Sequence, residues 1–291
     1  MSDEWVGILG ATSFVGGCVF PLLLENRTNI LAFSRSPRAH NDSRIVWRRC
    51  EDGAEITPAD GKPVEHWISA APIWVLPQYF ELMARLGARR VVALSSTSRF
   101  TKEGSSDPNE QETAKQLAQG ESKLKQWGTA NRVEWIILRP TLIYGLGRDR
   151  NLTEVARFIR RFRIFPLFGA ANGLRQPIHV EDLAGACVTA LHTPRIANRA
   201  YNLSGGEILP YRDMVGRVFN AMGQPPWMLP VPLIAFRMAV SILRLLPRYR
   251  NWTAAMAERM NRDLIFDHSE AAKDLAFNPR SFQLSRQDVL G

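Results

Sequence analysis

Apolar residues along this chain fall into short runs that alternate with segments of helical periodicity. Residues 5–9 form the first run, and a turn with a glycine at each end leads from it into apolar positions at helical spacing. Further strand-like runs cover residues 29–33, 90–96 and 133–138. Runs of about four to eight apolar residues between helical segments are typical of parallel strands covered on both faces. The alternation predicts an α/β fold with a doubly wound parallel sheet.

Weaker signals fill in the remaining elements. Residues 45–47 are a short strand candidate, and residues 66–71 are another that ends in Ala70 and Ala71, where small side chains allow a close approach to the backbone. Residues 201–206 predict a final core strand, and residues 100–109 predict a polar loop. Apolar spacing predicts helices over residues 76–86, 110–127, 152–162, 181–191 and 210–222.

The turn between the first strand and the first helix reads Gly-Ala-Thr-Ser-Phe-Val-Gly. Backbone N–H groups at a helix N-terminus bind phosphate groups, and glycine lets the backbone come close to the anion. A strand, a tight glycine turn and a helix is the arrangement that holds a pyrophosphate in dinucleotide folds. We therefore predict a dinucleotide site formed by Gly10, Ala11, Thr12, Ser13, Phe14, Val15 and Gly16.

The loop after the second predicted strand carries arginines and no carboxylates. Ser34 is followed by Arg35 and Arg38, and residues 29–38 contain neither Asp nor Glu. In a dinucleotide fold a carboxylate here accepts from the ribose hydroxyls, whereas arginine accommodates a 2′-phosphate. The loop therefore predicts NADP(H) in preference to NAD(H); ordinary exposed loop arginines are the alternative.

Composition excludes several other classes of function. The 291 residues include 45% apolar and 22% charged residues, with a formal net charge of +9, which suits a soluble protein with an anionic ligand. No RNA-binding motif or zinc-ligand array is present, and His66 has no ligand partner at metal spacing, so we expect neither nucleic acid nor a metal. Three scattered cysteines, an acidic N-terminus and short apolar runs predict a cytoplasmic protein.

Several segments resemble one known family in the same order along the chain. Residues 10–16 are similar to its G-x-x-G-x-x-G turn, 91–97 to its strand ending in Ser-Ser-Ser/Thr, 138–145 to its "LRP…YG" segment, 175–182 to "R…HV.D", 201–206 to "YN.sgg" and 274–280 to "dlGf.PR". On these motifs the chain resembles the short-chain dehydrogenase/reductase superfamily, in its extended or atypical branch of NAD(P)-dependent epimerases, dehydratases and reductases.

The resemblance implies a Rossmann-like core over residues 1–205, with a substrate-side insertion at about 146–175 and a C-terminal substrate-side or lid region over 206–291. It places Ala70, Ala71, Ser95 and Pro140 beside the dinucleotide, Tyr144 beside the substrate and Arg175 on a substrate diphosphate. A core or pocket-wall tyrosine is the alternative for Tyr144, and a surface arginine is the alternative for Arg175. Ser13 stands where the family has the middle glycine. Its side chain narrows the approach to the pyrophosphate, but its hydroxyl can donate to a phosphate oxygen.

The family's catalytic residues are only partly retained. The family uses a Tyr-x-x-x-Lys pair as general acid or base, and a Ser or Thr polarises the substrate. Thr97 matches the Ser or Thr, but no tyrosine occurs between Tyr79 and Tyr144.

Two alignments of the catalytic helix remain open. One places the family's later helix glutamate on Glu121, which puts Thr113 and Leu117 in the pair. The other retains Lys123 and puts Gln119 in place of the tyrosine. Neither Thr nor Gln can act as a general acid near neutral pH, so Thr97 and Lys123 are the catalytic candidates.

Two hypotheses for the function follow. The retained substrate-side segments favour an enzyme that transfers hydride between NADP(H) and a sugar nucleotide or a related carbonyl. The missing tyrosine favours a non-catalytic NADPH-binding accessory, assembly or sensor protein, the role that an accessory subunit of complex I with this fold has. Residues 228–250 are apolar and punctuated by arginines, which fits either a lid over the substrate or peripheral contact with an anionic membrane.

Overall fold

The computed structural model describes residues 4–35, 42–49, 61–234 and 254–290. The strands in these ranges are β1 (Trp5–Leu9), β2 (Asn29–Ser34), β3 (Ile45–Arg49), β4 (His66–Ser69), β5 (Arg90–Leu94), β6 (Glu134–Pro140), β7 (Ile143–Tyr144), β8 (Phe165–Phe168), β9 (Leu174–Arg175), β10 (Ile178–His179), β11 (Arg199–Leu203), β12 (Leu209–Pro210) and β13 (Met228–Val231). The helices are α1 (Phe14–Glu25), α2 (Phe80–Arg85), α3 (Ser98–Thr101), α4 (Pro108–Asn131), α5 (Leu152–Phe162), α6 (Val180–His192), α7 (Tyr211–Ala221), α8 (Ala254–Arg259), α9 (Ser269–Leu275) and α10 (Arg286–Leu290).

A seven-stranded sheet forms the centre of the molecule, with the order β11-β6-β5-β4-β1-β2-β3. All neighbouring pairs in it are parallel, which confirms the predicted doubly wound α/β fold. The strand order reverses between β1 and β4. In open parallel sheets the crevice at such a switch point, outside the carboxyl ends of the strands, is where ligands bind.

Side chains of each central strand alternate between two apolar layers, as strand geometry requires. In β2, Ile30 and Ala32 belong to the layer that α1 and α6 cover, and Leu31 and Phe33 belong to the layer under α2 and α4. All four side chains are fully buried. Each large apolar side chain buried in this way stabilises the fold by about 1.5–3 kcal/mol. The strand sequences are thus continuous apolar runs because helices cover both faces of the sheet.

A third apolar cluster holds α5 and α7 together. The buried face of α5 has Leu152, Val155, Ala156 and Ile159 at helical spacing, and these residues pack with α7, β8 and Phe282. The cluster lies beyond the carboxyl ends of the sheet strands, because β7 and α5 follow directly on β6. It therefore stands on the side of the molecule where a ligand of the switch point would lie.

Three element boundaries differ from the predictions for local reasons. α4 begins before residue 110, because Asp107 caps it by accepting from the Asn109 N–H and Pro108 fits the first helical position. The segment 76–86 is divided into a 3₁₀ turn (Leu76–Tyr79), which has a proline in its first turn, and α2. The predicted loop at 100–109 instead begins within the short helix α3.

Candidate functional site

The glycine turn lies at the switch point, directly after β1. Gly10 has φ +70°, and a Cβ on it would lie 2.7 Å from the backbone nitrogen of Ala71 at the end of β4. A Cβ on Gly16 would overlap the carbonyl oxygen of Gly10. The two glycines therefore let β1, β4 and the start of α1 meet without side chains between them. This close packing leaves a backbone-lined cradle at the N-terminus of α1.

Ser13 closes the turn as the N-cap of α1. Its Oγ accepts a hydrogen bond from the Gly16 N–H at 3.0 Å, so its own O–H proton stays free to donate. The N–H groups of Phe14 and Val15 belong to the first helical turn, which has no intrahelical acceptors. Ser13, which stands where the family has a glycine, thus stabilises the start of α1 and adds a hydroxyl donor beside the amide donors of Phe14 and Val15.

The end of β2 is tied to the turn. Ser34 is buried, and its Oγ lies 3.0 Å from the Oγ1 of Thr12; the Ala11 N–H donates to the Phe33 carbonyl at 3.2 Å. Arg35 follows and is exposed, whereas Arg38 lies outside the described residues. The structure therefore brings Ser34 and Arg35 beside the glycine turn, where the sequence placed the adenosine ribose.

Arg148 is a basic residue near the turn that the sequence motifs did not single out. Its guanidinium carbon lies 5.9 Å from the centre of the Phe14 ring, and its Nη1 would be 3.4 Å from a Cβ on Gly17. A cation next to a helix N-terminus is disfavoured by the helix dipole unless an anion lies between them. Arg148 comes from the loop after β7, so only the fold brings it to α1.

Glu121 is a fully buried carboxylate on α4. Its oxygens accept from the Ser95 Oγ at 2.7 Å and from Arg139 at 2.9 and 2.7 Å, and Arg99 pairs with it. Burial raises the pKa of Glu121, but these hydrogen bonds and the two positive charges outweigh it, so the net pKa is lowered. Glu121 is therefore an ionised structural anchor. The Ser95 hydroxyl proton is used by Glu121, so the expected cofactor contact of Ser95 is limited to accepting a hydrogen bond.

The orientation of α4 distinguishes the two alignments of the catalytic helix. Leu117 and Glu121 are buried on the inner face and Thr113 is half-buried, whereas Gln119 and Lys123 are exposed. The inner face therefore matches the alignment that replaces the Tyr-Lys pair by Thr113 and Leu117. Lys123 is not brought to the other site residues, because its helical position turns it to solvent. Its expected catalytic role does not fit this placement.

Thr97 lies at the carboxyl end of β5 and is 6% exposed. Its N–H and its Oγ1 both donate to the carbonyl of Pro140, each at 3.1 Å. Pro140 is the buried last residue of β6. The structure thus brings these two residues together next to the switch point, with the threonine proton held by protein. To polarise a substrate oxygen, the Thr97 hydroxyl would have to break its hydrogen bond to the Pro140 carbonyl and donate to the substrate instead.

The two residues expected on the substrate side are both buried. Arg175 is 5% exposed and donates to the carbonyls of Leu174 and Arg262, each at 2.8 Å, and to that of Arg259. Burial lowers the pKa of Arg175. Its guanidinium anchors the segment after α8 to β9, which is a correction to the expected diphosphate contact.

Tyr144 is fully buried, with its ring edge-on to His179 at 5.1 Å and to Phe282 at 4.9 Å between ring centres. Burial raises the pKa of Tyr144 to about 12. Tyr144 is therefore part of the third apolar cluster, which is the alternative to the expected contact with substrate.

Comparison with known proteins bears on this site. Residues 78–204 match the model of the NAD dependent epimerase/dehydratase family. The UDP-glucose 4-epimerase of Vibrio cholerae is 26% identical over 121 residues, which are 42% of this chain and 37% of that protein. The mitochondrial NADH dehydrogenase (ubiquinone) 1 alpha subcomplex subunit 9 of Arabidopsis thaliana is 26% identical over 100 residues, or 34% of this chain and 25% of that protein. This chain thus spans half or less of the length of these relatives.

In three dimensions the chain is similar to the UDP-glucuronic acid 4-epimerase of Bacillus cereus, whose structure was determined in complex with NAD. The TM-score is 0.72 at 15% identity, and the match covers 98% of this chain and 95% of that chain. At this identity the likeness establishes the fold. Residues 78–204 thus resemble the NAD dependent epimerase/dehydratase family, and the solved structure shows that the chain shares the fold of that epimerase.

Proposed function

We propose that this chain binds NADP(H) at the switch point between β1 and β4. The observation that carries the proposal is the cradle itself: Gly10 and Gly16 leave no side chain between the β-strand ends and the first turn of α1. The amides of Phe14 and Val15 and the free proton of Ser13 would hold the pyrophosphate. The NAD-bound structure of the similar epimerase from Bacillus cereus supports the same class of ligand.

Arg35 supports the choice of NADP(H) over NAD(H). It is exposed at the end of β2 and follows directly on Ser34, which contacts the glycine turn. A guanidinium there can pair with a 2′-phosphate. Titrating the protein with NADPH and with NADH, followed by nucleotide fluorescence, tests this. We expect tighter binding of NADPH; tighter binding of NADH would refute the 2′-phosphate argument.

Hydride transfer between NADP(H) and a sugar nucleotide or a related carbonyl is the enzymatic form of this function. The position of Thr97 at the end of β5 and the family match over residues 78–204 support it. The similar solved structures include one bound to UDP-glucuronic acid and NAD. A panel of UDP-sugars with NADP⁺ and NADPH, followed at the absorbance of the reduced nicotinamide, tests for turnover.

A non-catalytic role is the second candidate, and one observation favours it. Under the alignment that places Thr113 and the buried Leu117 at the family's Tyr and Lys positions, this helix face supplies no proton donor with a suitable pKa. The similarity to a mitochondrial NADH dehydrogenase subunit points the same way. Intact NADPH binding without turnover of any UDP-sugar would support an accessory or sensor protein; turnover would exclude it.

Contact with an anionic membrane surface is a separate part of the proposal. Trp227 is 65% exposed, Leu229 53% and Phe162 51%, and α5 ends beside them in exposed Arg160 and Arg161. Exposed aromatic and aliphatic side chains flanked by arginines suit the headgroup region of a bilayer. No helix among the described residues is long and apolar enough to cross a membrane. Residues 235–250 of the predicted membrane segment lie outside the described ranges.

Flotation with liposomes tests the membrane contact. We expect the protein to float with vesicles that contain phosphatidylglycerol and not with neutral vesicles. The double variant Trp227→Ser, Leu229→Ser should stay at the bottom of the gradient with NADPH binding intact. Equal recovery with neutral and anionic vesicles would contradict an electrostatic surface contact. Residence in the cytoplasm remains a proposal of the same kind.

A further inference from the structure

Three metal-ligand side chains meet at the amino-terminal edge of the central sheet. Glu4 directly precedes β1, His66 is the first residue of β4, and His192 is the last residue of α6. β1 and β4 are parallel neighbours, with Val6 opposite His66. Their carboxyl ends carry the glycine turn, so this cluster lies at the opposite edge from the proposed dinucleotide site.

The geometry of the cluster is compatible with one metal ion. One ligand atom from each residue lies within 4.8 Å of the other two. His66 Nδ1 is hydrogen-bonded to a Glu4 carboxylate oxygen, and the rings of His66 and His192 are edge-on with 6.1 Å between centres. Ligand atoms around a tetrahedral Zn²⁺ stand about 3–3.5 Å apart at the usual bond lengths of about 2.0–2.2 Å. To accept such an ion, His66 and Glu4 would give up their hydrogen bond and separate, and His192 would complete the ligand set.

The donor set and the local charges favour a cation. Two imidazoles and one carboxylate are borderline ligands that suit Zn²⁺. His192 also stands in the last turn of α6, where the helix dipole attracts positive charge.

One cation opposes this arrangement. Arg90 lies close to His192, because its Nη1 donates to the carbonyls of Leu191 and Thr193 on either side of that residue. Its Nε donates to Glu134 at 2.7 Å, and its Nη1 donates to the Thr193 carbonyl at 2.6 Å. The positive charge of Arg90 is therefore offset by a carboxylate and by the carbonyls at the end of α6.

We propose that Glu4, His66 and His192 form a Zn²⁺ site, with water as the remaining ligand. The expectation of no metal came from sequence spacing, which cannot show that the starts of two strands and the end of a helix meet. The ion would join β1, β4 and α6 at this edge. Because the dinucleotide cradle lies at the other edge, the site is independent of the proposed function, and metal should stabilise the fold without changing NADPH affinity.

The test uses the full chain without a histidine tag, stripped with a chelator and dialysed against ZnCl₂. We expect one bound Zn²⁺ per chain by elemental analysis, a rise of several degrees in Tm, and unchanged NADPH binding. Co²⁺ should give the intense visible bands of a tetrahedral site. His66→Gln and His192→Gln should each abolish the Tm rise and lower the bound metal at least tenfold.

Glu65→Gln is the matched control, since Glu65 adjoins His66 and pairs with Arg89 outside the cluster. This variant should bind Zn²⁺ like the wild type. His192→Gln changes a residue at a helix end, so a folded variant is available even if His66→Gln unfolds. Absence of bound Zn²⁺ in the wild type, or unchanged Zn²⁺ binding in His192→Gln, would show that Glu4 and His66 form a hydrogen-bonded pair only and would overturn the proposal.

Discussion

At the scale of single residues, small polar side chains stabilise the glycine turn and line the proposed ligand site. Ser13 caps α1 and leaves a proton for a ligand, and Thr12 joins the turn to Ser34. The motif itself could be predicted from the sequence, because it is local. The roles of Ser95 and Arg175 could not be predicted from the sequence. Ser95 contacts Glu121 and Arg175 contacts carbonyls after α8, and these partners are far away in sequence and meet them only in the fold.

Ser13→Ala should weaken both folding and ligand binding. Loss of the N-cap costs about 1 kcal/mol of unfolding free energy, and loss of the hydroxyl removes one donor to the pyrophosphate. Urea denaturation and NADPH titration measure the two effects. Ser13→Gly is the matched control, since glycine costs only a few tenths of a kcal/mol at an N-cap and opens the approach. An unchanged NADPH affinity in Ser13→Ala would exclude the hydroxyl as a phosphate donor.

Arg35→Ser should lower NADPH affinity about tenfold or more and leave NADH affinity unchanged. A hydrogen bond to a charged group contributes about 1.5–3 kcal/mol, and about 1.4 kcal/mol corresponds to tenfold in Kd. Isothermal titration with both nucleotides measures it. Arg195→Ser is the control, because Arg195 is also exposed but follows α6 at the opposite edge. An equal loss of affinity for both nucleotides would assign Arg35 a general electrostatic effect.

At the scale of elements, helix α4 carries a structural network on its inner face. Glu121 links α4 to the end of β5 through Ser95 and to β6 through Arg139. The existence of α4 could be predicted from its sequence, but the face it turns to the sheet could not, because Lys123 and Leu117 were both acceptable from sequence alone. Leu117 is buried in the layer under α4, which favours the alignment through Glu121.

Glu121 should make folding stability depend on pH in the acid range. Its pKa in the folded state is below the ordinary value of 4.5, so its contribution is fully present above pH 4.5 and is lost as pH falls through the lowered pKa. Urea midpoints measured in this range should fall more steeply for the wild type than for Glu121→Gln. Parallel curves for the two proteins would contradict the lowered pKa.

Removal of the carboxylate should be costly at neutral pH. Glu121→Ala leaves Arg99 and Arg139 without their shared partner, and breaking a buried pair in this way costs about 3–5 kcal/mol. Urea denaturation at neutral pH measures the loss. Glu112→Ala is the control on the exposed face of the same helix and should change stability by less than about 0.5 kcal/mol.

At the scale of the whole molecule, Arg175 joins the C-terminal part of the chain to the region beyond the sheet. Arg175→Met removes three hydrogen bonds to backbone carbonyls, each worth about 1 kcal/mol, so we expect about 3 kcal/mol of destabilisation. NADPH affinity should be unchanged, because none of these contacts involves the glycine turn. Thermal unfolding and NADPH titration measure the two quantities.

Arg212→Met is the control for this change, since Arg212 is exposed nearby at the start of α7. Its Tm should stay close to that of the wild type. Loss of UDP-sugar binding in Arg175→Met with an unchanged Tm would contradict the structural role and restore the diphosphate contact.

The order of strands in the sheet also has a consequence for biosynthesis. β1 is made first and lies near the centre of the sheet, between β2 and β4. Its second neighbour, β4, is complete only when residue 69 has been made, and the edge strand β11 is complete only when residue 203 has been made. Contacts of such long sequence separation form slowly. The order of synthesis therefore allows β2 and β3 to pair on one side of β1 before β4, β5 and β6 can pair on the other, and β6 lacks its outer neighbour until β11 has been made.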